Sequence, residues 1–188
     1  LDVSGFQAEP TRFDYGAIGA TPTYDTSAAS YQLPSYAGLD AYTTDASGLA
    51  ATRASFDSPE DHVILPEIIS KEPLGPVVRQ GDDEWFNIVR WTLFALINAE
   101  EFGVTQKNVA KLRASTKNPG IRRLLGLEGE MGENLKLSAH WAYDVVRHVG
   151  NYGEMFERNL GPGTTLNIAR GLNRLWSEGG AMYAPPVR

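Results

Sequence analysis

The sequence contains no cysteine, and this absence removes several kinds of chemistry at once. Disulfide bonds, thiolate nucleophiles and cysteine-ligated metal sites are all excluded. Long apolar runs are absent too, since the longest falls far short of the ~20 residues that a membrane-spanning helix needs. Blocks of basic residues are also missing from a chain of net charge −6, which disfavours binding through the phosphates of nucleic acid.

What remains is an ordinary globular composition with an uneven distribution of charge. Of the 188 residues, 42% are hydrophobic and 21% are charged, which is enough apolar material for a buried core. Residues 1–60 contain eight acidic residues and two arginines, while the acids and bases of residues 61–188 balance. The whole excess of negative charge therefore lies in the first third of the chain.

The first half of the chain divides into an irregular leader and a region with the pattern of an α/β sheet. Residues 1–39 are rich in Gly, Ala, Ser, Thr, Pro and Tyr, and their apolar residues follow neither the helical nor the strand period. The following residues predict alternating strands and a helix. The predicted elements are a strand over Leu39–Thr44, a helix over Ala46–Phe56, and strands over His62–Leu65 and Pro73–Val78.

The second half of the chain has a helical pattern. The acidic residues from Asp82 to Glu84 precede a long apolar run that ends at Gly103, which predicts a capped and largely buried helix. Glycines recur where helix C-termini are expected. Shorter helices are predicted over Thr105–Ser115, Gly120–Leu125, Ser138–Val149, Tyr152–Leu160 and Leu166–Trp176.

The segment HWAYDVVRH is the best candidate for a metal site, and its spacing argues against one. His140 and His148 are eight residues apart, which is roughly 12 Å along a helix, so they cannot share an ion whose bonds are about 2 Å long. An ion pair between His140 and Asp144 on an exposed helix face is the better interpretation. The motifs GxSxG, SxxK and HExxH are absent, and GPGTT lacks the lysine of a phosphate-binding loop, so no enzyme and no cofactor is predicted.

The segment DAYTTDASGL leaves two roles open for Asp45. An aspartate directly before a helix caps it by accepting backbone N–H bonds, a contribution of about 1 kcal/mol. The same position, at the end of a strand, also lies where open α/β sheets bind ligands. A carboxylate with two neighbouring hydroxyls, here Thr43 and Thr44, suits a small cationic group such as an ammonium.

Several long segments closely resemble one family, the periplasmic substrate-binding proteins of general L-amino acid ABC transporters. The resemblance rests on DAYTTDASGL, on the run from His62 to Thr105 that begins HVILPEIISKEPLGPVVRQGDDEW, on GNYGEMFERNLG and on the C-terminal GGAMYAPPVR. Together these segments span most of the chain from Asp40 to Arg188. YDTSAASYQ, in the leader, is similar to the segment that precedes the TTD turn in that family.

The resemblance implies part of a type II periplasmic-binding-protein fold of class α/β, with a short sheet and hinge followed by a mostly helical C-terminal region. It also implies capture of free L-amino acids in the periplasm and their delivery to a membrane permease, with no chemistry on the ligand. Asp45 would contact the ligand's ammonium group, with Thr44 and Thr43 beside it. The implied parts are a leader or second-lobe remnant (1–39), a second-lobe segment (40–68), a hinge crossing (69–80), and the first-lobe flank with a helical extension (81–188).

The resemblance also implies a chain shorter than its relatives on the N-terminal side. The arginine that binds the ligand's carboxylate in such proteins has no convincing counterpart here, and Leu39 stands where relatives usually have cysteine. Two other functions therefore stay open at this point. One is a structural or interaction fragment that binds no ligand itself, and the other is a periplasmic enzyme built on the same fold.

Overall fold

The structure, a computed structural model, describes residues 42–69 and 73–187. The leader 1–39 and the first residues of the predicted strand Leu39–Thr44 lie outside this part. The described residues fall into two units, divided between Asp45 and Ala46. Every helix of the described residues belongs to the second unit.

The described residues of the second unit form seven α-helices, with a long connection that contains a 3-10 turn after the first helix and short loops between the others. Their bounds are α1 Ala46–Ala54, α2 Asp83–Glu101, α3 Val109–Ser115, α4 Pro119–Leu124, α5 Met131–Asn134, α6 Trp141–Val149 and α7 Tyr152–Asn159. The predictions for α1, α2, α4 and α7 are confirmed to within two residues at each end. Helices α3 and α6 begin three or four residues later than predicted, and α5 is a single turn that the sequence did not indicate.

Helix α2 begins and ends where its signals predicted, but the prediction that it is largely buried is wrong, because burial is confined to Ala95–Ala99. The carboxylate of Asp82 accepts the backbone N–H of Trp85 at 3.0 Å, which caps the first turn. Gly103, with φ at +64°, ends the helix in a conformation that glycine adopts without steric cost. The side chains from Ala95 to Ala99 are all buried, whereas Trp85 and Phe86 in the first turn are exposed.

The main hydrophobic core lies where α2 packs against α4, α6 and α7, and where α3 packs against α4 and α6. Alanines on α2 and α6 allow the helices to approach closely, and larger side chains fill the space between them. The buried residues of this core include Ala95, Ala99, Val104, Val109, Ile121, Leu124, Leu125, Trp141, Ala142 and Val146.

The predicted strands are not formed in the described residues. The backbone is irregular at positions 42–44, His62–Leu65 and Pro73–Val78. Among the described residues, the only β-type pairing is one isolated bridge between Leu175 and Met182. A short apolar run is not sufficient for a strand, because a strand also needs a neighbour to bond with. The described part of this chain offers these segments no such neighbour.

The helix predicted over Leu166–Trp176 is also wrong. Asn167 and Gly171 have φ values of +50° and +48°, which an α-helix cannot contain. The segment instead forms short 3-10 turns at Gly171–Asn173 and Trp176–Glu178. Just before the segment, the hydroxyl of Thr164 accepts the backbone N–H of Leu166 at 3.2 Å and closes a turn.

An ion pair fixes this irregular C-terminal segment to α2. The guanidinium of Arg170 lies 2.9 Å from a carboxylate oxygen of Glu100, and the two side chains are only 13% and 14% exposed. Arg170 also lies over the rings of Tyr152 and Phe156, at 5.5 and 5.3 Å from their centroids. Gly153 leaves room for the pair, since a Cβ there would lie 2.7 Å from Glu100 Oε1.

We expect Glu100→Gln to lower the free energy of unfolding by about 3 kcal/mol, because it leaves the Arg170 guanidinium enclosed without a counter-charge. Urea denaturation measures this change. The matched control is Glu84→Gln, which removes the same charge from a pair with Lys136 whose side chains are 56% and 72% exposed. That control should cost less than about 1 kcal/mol. Equal losses in the two variants would show that the buried pair contributes no more to stability than the exposed pair.

The same cluster predicts a loss of stability in alkaline solution. Burial raises the pKa of the Tyr152 phenol above its ordinary value of 10.0, while Arg170 lowers it and Glu100 raises it further. Because the folded state holds this proton more tightly than the unfolded state, its contribution is present below pH 10 and declines as pH rises toward the folded pKa. Urea denaturation at pH 9 and pH 11 should show a smaller decline for Tyr152→Phe than for the unmodified chain. An equal decline in Tyr152→Phe and in the unmodified chain would show that Tyr152 does not cause the alkaline loss of stability.

Candidate functional site

The three predicted ligand-binding residues lie in the short described part of the first unit. Tyr42–Asp45 has an irregular backbone, with Thr43 and Thr44 exposed and Asp45 half-buried. The hydroxyl of Thr44 lies 3.5 Å from Asp45 Oδ2, at the outer limit of a hydrogen bond. The sequence therefore places a hydroxyl directly beside a carboxylate, immediately before α1 begins at Ala46.

This arrangement is chemically able to hold a small cation. A carboxylate accepts several hydrogen bonds, and an ammonium donates three, so a carboxylate flanked by hydroxyls can accept more than one of them. Charge-assisted bonds of this kind are about twice as strong as neutral ones. Within the described residues, no group of three potential metal ligands is assembled.

Two cavities are found among the described residues of the second unit. One, of about 560 Å³, is an open and polar hollow formed by consecutive residues from Arg79 to Glu84 at the start of α2. Another, of about 180 Å³, lies between the C-terminal half of α1 and the turn at Thr165–Asn167. Arg53 lines this second cavity, and its Nε donates to the carbonyl of Pro59 at 2.9 Å. None of the predicted ligand-binding residues lines either cavity.

The motif HWAYDVVRH adopts the arrangement that its spacing predicted. His140 Nε2 lies 3.4 Å from Asp144 Oδ2, and both side chains are nearly half exposed. His140 directly precedes α6, and the rest of the motif forms that helix. The contact is the ordinary i,i+4 pair of a solvated surface, whose contribution to stability is a few tenths of a kcal/mol.

A hydrogen-bonded junction that the sequence reasoning missed connects the loop after α2 to the start of α7. Asn151 accepts the backbone N–H of Glu154 at 2.9 Å and donates to the carbonyl of Val104 at the same distance. The carboxylate of Glu154 accepts the backbone N–H of Asn151 at 2.8 Å and also the backbone N–H of Gln106 at 3.0 Å. The sequence contains a signal for the contacts between Asn151 and Glu154, since Asn followed by Glu three residues later is the pattern of a capping box.

Comparison with known proteins finds close relatives over most of the chain. A general L-amino acid-binding periplasmic protein, AapJ, of Rhizobium johnstonii is 61% identical over 151 residues, which is 79% of this chain and 44% of that protein. A glutamate/glutamine/aspartate/asparagine-binding protein, BztA, of Rhodobacter capsulatus is 58% identical over 79% of the chain and 44% of its own length. The putative amino-acid ABC transporter-binding protein YhdW of Escherichia coli is 51% identical over 88% of the chain and 49% of its own length.

A solved structure shows the same relationship in three dimensions. The chain matches an ABC transporter periplasmic binding protein from Brucella ovis, with glutathione bound, at a TM-score of 0.75 and 55% sequence identity. The match covers 80% of this chain and 47% of that one. A comparison with models of protein families finds no match. The described helices of this chain therefore adopt the arrangement found in part of a periplasmic binding protein.

The matches cover most of this chain but only part of each relative. This chain spans a little less than half the length of the relatives and of the solved structure that it matches. The relatives' names describe binding proteins, and none describes an enzyme. None of the described helices is long and apolar enough to cross a membrane. The resemblance identified in the sequence is confirmed: the chain is related to the periplasmic substrate-binding proteins of amino-acid ABC transporters.

Proposed function

We propose that the chain is the solute-binding component of an ABC importer, or part of one, that captures free L-amino acids in the periplasm and delivers them to a permease. The observation that carries this proposal is identity of 51–61% to relatives whose names state amino-acid binding or transport. Such identity over about four fifths of the chain makes the same class of ligand the expected one. The ligand is released without any chemical change, because this function requires binding and release only.

Within this function, Asp45 is the residue that binds the ligand's α-ammonium. Asp45 is a half-buried residue, and the hydroxyl of Thr44 lies beside its carboxylate. Thr44 and Thr43 are exposed and supply hydroxyl oxygens that can accept the remaining ammonium protons. A free amino acid carries one ammonium at neutral pH, so a single fixed carboxylate matches its charge.

The remaining parts of the proposal concern the organisation of the chain and its partner. Residues 40–68 would belong to the second lobe, 69–80 to a hinge crossing, and 81–188 to the flank of the first lobe and its helical extension. Residues 1–39 would be a remnant of the second lobe. The partner that receives the ligand would be the permease of the transporter. The irregular and exposed backbone of residues 73–80 suits a crossing between lobes better than a position inside one.

The glutathione in the Brucella ovis structure is compatible with the same ammonium site. The γ-glutamyl end of glutathione carries a free α-ammonium and a free α-carboxylate, as an amino acid does. Asp45 would meet the same charged group in either ligand, and the rest of the pocket would decide between them. Neither an interaction fragment without a ligand nor an enzyme is favoured by any of the relatives' names.

Asp45→Asn is expected to weaken the binding of L-glutamate and L-glutamine by roughly 10- to 100-fold, because a hydrogen bond to a charged group contributes about 1.5–3 kcal/mol. Isothermal titration calorimetry of the full chain with millimolar amino acid measures this change. The free energy of unfolding should hardly move, since asparagine is as good an N-cap as aspartate. Asp57→Asn, an exposed site, is the matched control for the lost charge.

The absence of any heat with millimolar ligand would contradict binding by this chain. Loss of stability in Asp45→Asn equal to its loss of affinity would make Asp45 a structural cap rather than a ligand residue. Thr44→Val should have a smaller effect, about tenfold or less, because it removes a neutral hydrogen-bonding group.

Changing the ligand tests the same contact from the other side. 4-Carbamoylbutanoate is L-glutamine with hydrogen in place of the α-ammonium, so its binding should be weaker than that of L-glutamine by a similar factor. In Asp45→Asn the difference between the two ligands should largely disappear, which a double-mutant cycle measures. A preference for L-glutamine that survives unchanged in the variant would place the ammonium site elsewhere.

A further inference from the structure

One stretch of the helical unit has a charge opposite to that of the whole chain. The chain has a net charge of −6, yet residues 102–127 contain six lysines and arginines and no aspartate or glutamate. These bases are spread along the stretch, so the sequence shows no long basic block. The stretch comprises the loop after α2, helices α3 and α4 and the turns beside them. We refer to five of its bases as the basic surface: Lys107, Lys111, Arg113, Lys117 and Arg123.

The charges of the basic surface are not neutralised within the part of the chain that the structure describes. The sixth base, Arg122, pairs with Glu128 at 2.6 Å, but no member of the basic surface forms an ion pair with another described residue. Arg113 is half-buried, with its guanidinium 4.6 Å from the centroid of the Tyr143 ring, and the other four members are exposed. Like charges on adjoining helices repel one another, and an external anion relieves that repulsion.

The fold holds these bases on two helices that pack against each other. Helix α3 contacts both α4 and α6, and Val109 on α3 is fully buried in the core. The backbone N–H of Val109 bonds to the carbonyl of Thr105 at 2.9 Å, so helical spacing begins before α3 and places Lys107 and Lys111 one turn apart. Both lysines lie opposite Val109 around the helix, on the face directed away from the core. Lys117 follows in the connection to α4.

The surroundings of the basic surface limit the kind of partner that fits it. Among the described residues, no exposed large hydrophobic side chain lies between Phe86 and Leu172. Specific protein interfaces centre on buried aromatic or aliphatic anchors and are depleted in lysine. A surface of lysines and arginines without such an anchor suits a diffuse layer of negative charge. An anionic lipid bilayer is a layer of this kind, and it attracts basic side chains without their insertion into the hydrocarbon.

We propose that the basic surface attaches the chain reversibly to the phosphate headgroups of an anionic membrane. The inference rests on the proposed function, which places the chain in the periplasm with a membrane permease as its partner. Attachment keeps the loaded binding protein close to the plane in which the permease lies, which raises the rate of their encounter. The negative charge of the rest of the chain does not prevent this, because charges more than ~8 Å from the bilayer are largely screened at physiological salt.

Membrane attachment is tested by co-sedimentation of the full chain with lipid vesicles. The chain should sediment with vesicles of equal parts phosphatidylcholine and phosphatidylglycerol, and should stay in solution with vesicles of phosphatidylcholine alone. Raising the salt concentration from roughly 50 mM to roughly 500 mM should release it, because salt screens an exposed electrostatic contact. Equal binding to both kinds of vesicle, or no binding to the anionic vesicles at low salt, would overturn the proposal.

Variants of the three lysines assign the contact to the basic surface. The triple variant Lys107→Gln, Lys111→Gln and Lys117→Gln should weaken binding to the anionic vesicles on the order of 100-fold, since each base near such a bilayer contributes roughly fivefold. The corresponding triple change to arginine keeps the charge and should bind as the unmodified chain does. All three lysines are exposed, so both variants should fold as before, which thermal unfolding measures.

The matched control removes three exposed bases from other parts of the chain, through Arg79→Gln, Lys136→Gln and Arg174→Gln. This control should lose much less affinity than the lysine variant, because its bases lie outside the basic surface. Equal weakening in the two variants would show that only the net charge matters and would overturn the proposal. Binding of double-stranded DNA as strong as that of the anionic vesicles would also overturn it, because the surface would then select any polyanion.

Membrane attachment and amino-acid binding fail separately, because vesicles and calorimetry measure them independently. Binding to anionic vesicles by a chain that gives no heat with amino acids would overturn the proposed function and leave the membrane contact established. Heat from amino acids without binding to the vesicles would overturn the membrane contact alone.

Discussion

The burial of the C-terminal half of α2 is the constraint on which the rest of the helical unit depends. Ala95 and Ala99 are fully buried, and their small size lets α6 and α7 approach the helix closely. Asn98, at the same level of the helix, must satisfy its amide inside the protein. It does so by donating to the carbonyls of Phe94 and Pro185, at 2.8 and 2.9 Å. Asn98 thereby holds the C-terminal segment against α2, as the pair of Arg170 and Glu100 does.

The parts of the fold that the sequence predicted are those governed by local interactions. The cap at Asp82, the apolar face and the left-handed Gly103 all act within a few residues of α2, so their pattern is sufficient. The capping box of α7 is equally local, because it joins Asn151 and Glu154 over three residues, although it was not among the predicted signals. The contact between His140 and Asp144 follows from helical spacing alone.

The parts that the sequence did not predict depend on residues that are distant along the chain. The ion pair of Arg170 and Glu100 joins positions seventy residues apart, and it accompanies a segment that turns rather than continuing as a helix. The apolar residues of His62–Leu65 have the composition of a strand, but strand formation depends on a partner that a local pattern does not reveal. The candidate site has the same limitation, since spacing alone left Asp45 as cap or ligand residue. Only the family resemblance favoured the second role.

Several tertiary contacts of this unit are made to the main chain rather than to side chains. Asn98 bonds the carbonyl of Pro185, and the amide of Gln106 donates to the carbonyls of Arg147 and His148 at 3.1 and 3.0 Å. Every residue type has a backbone carbonyl, so only the amide side of each bond restricts the choice of amino acid. Positions 147 and 148 are exposed as well. Substitutions can therefore accumulate there during evolution while the bonds between distant parts of the chain persist.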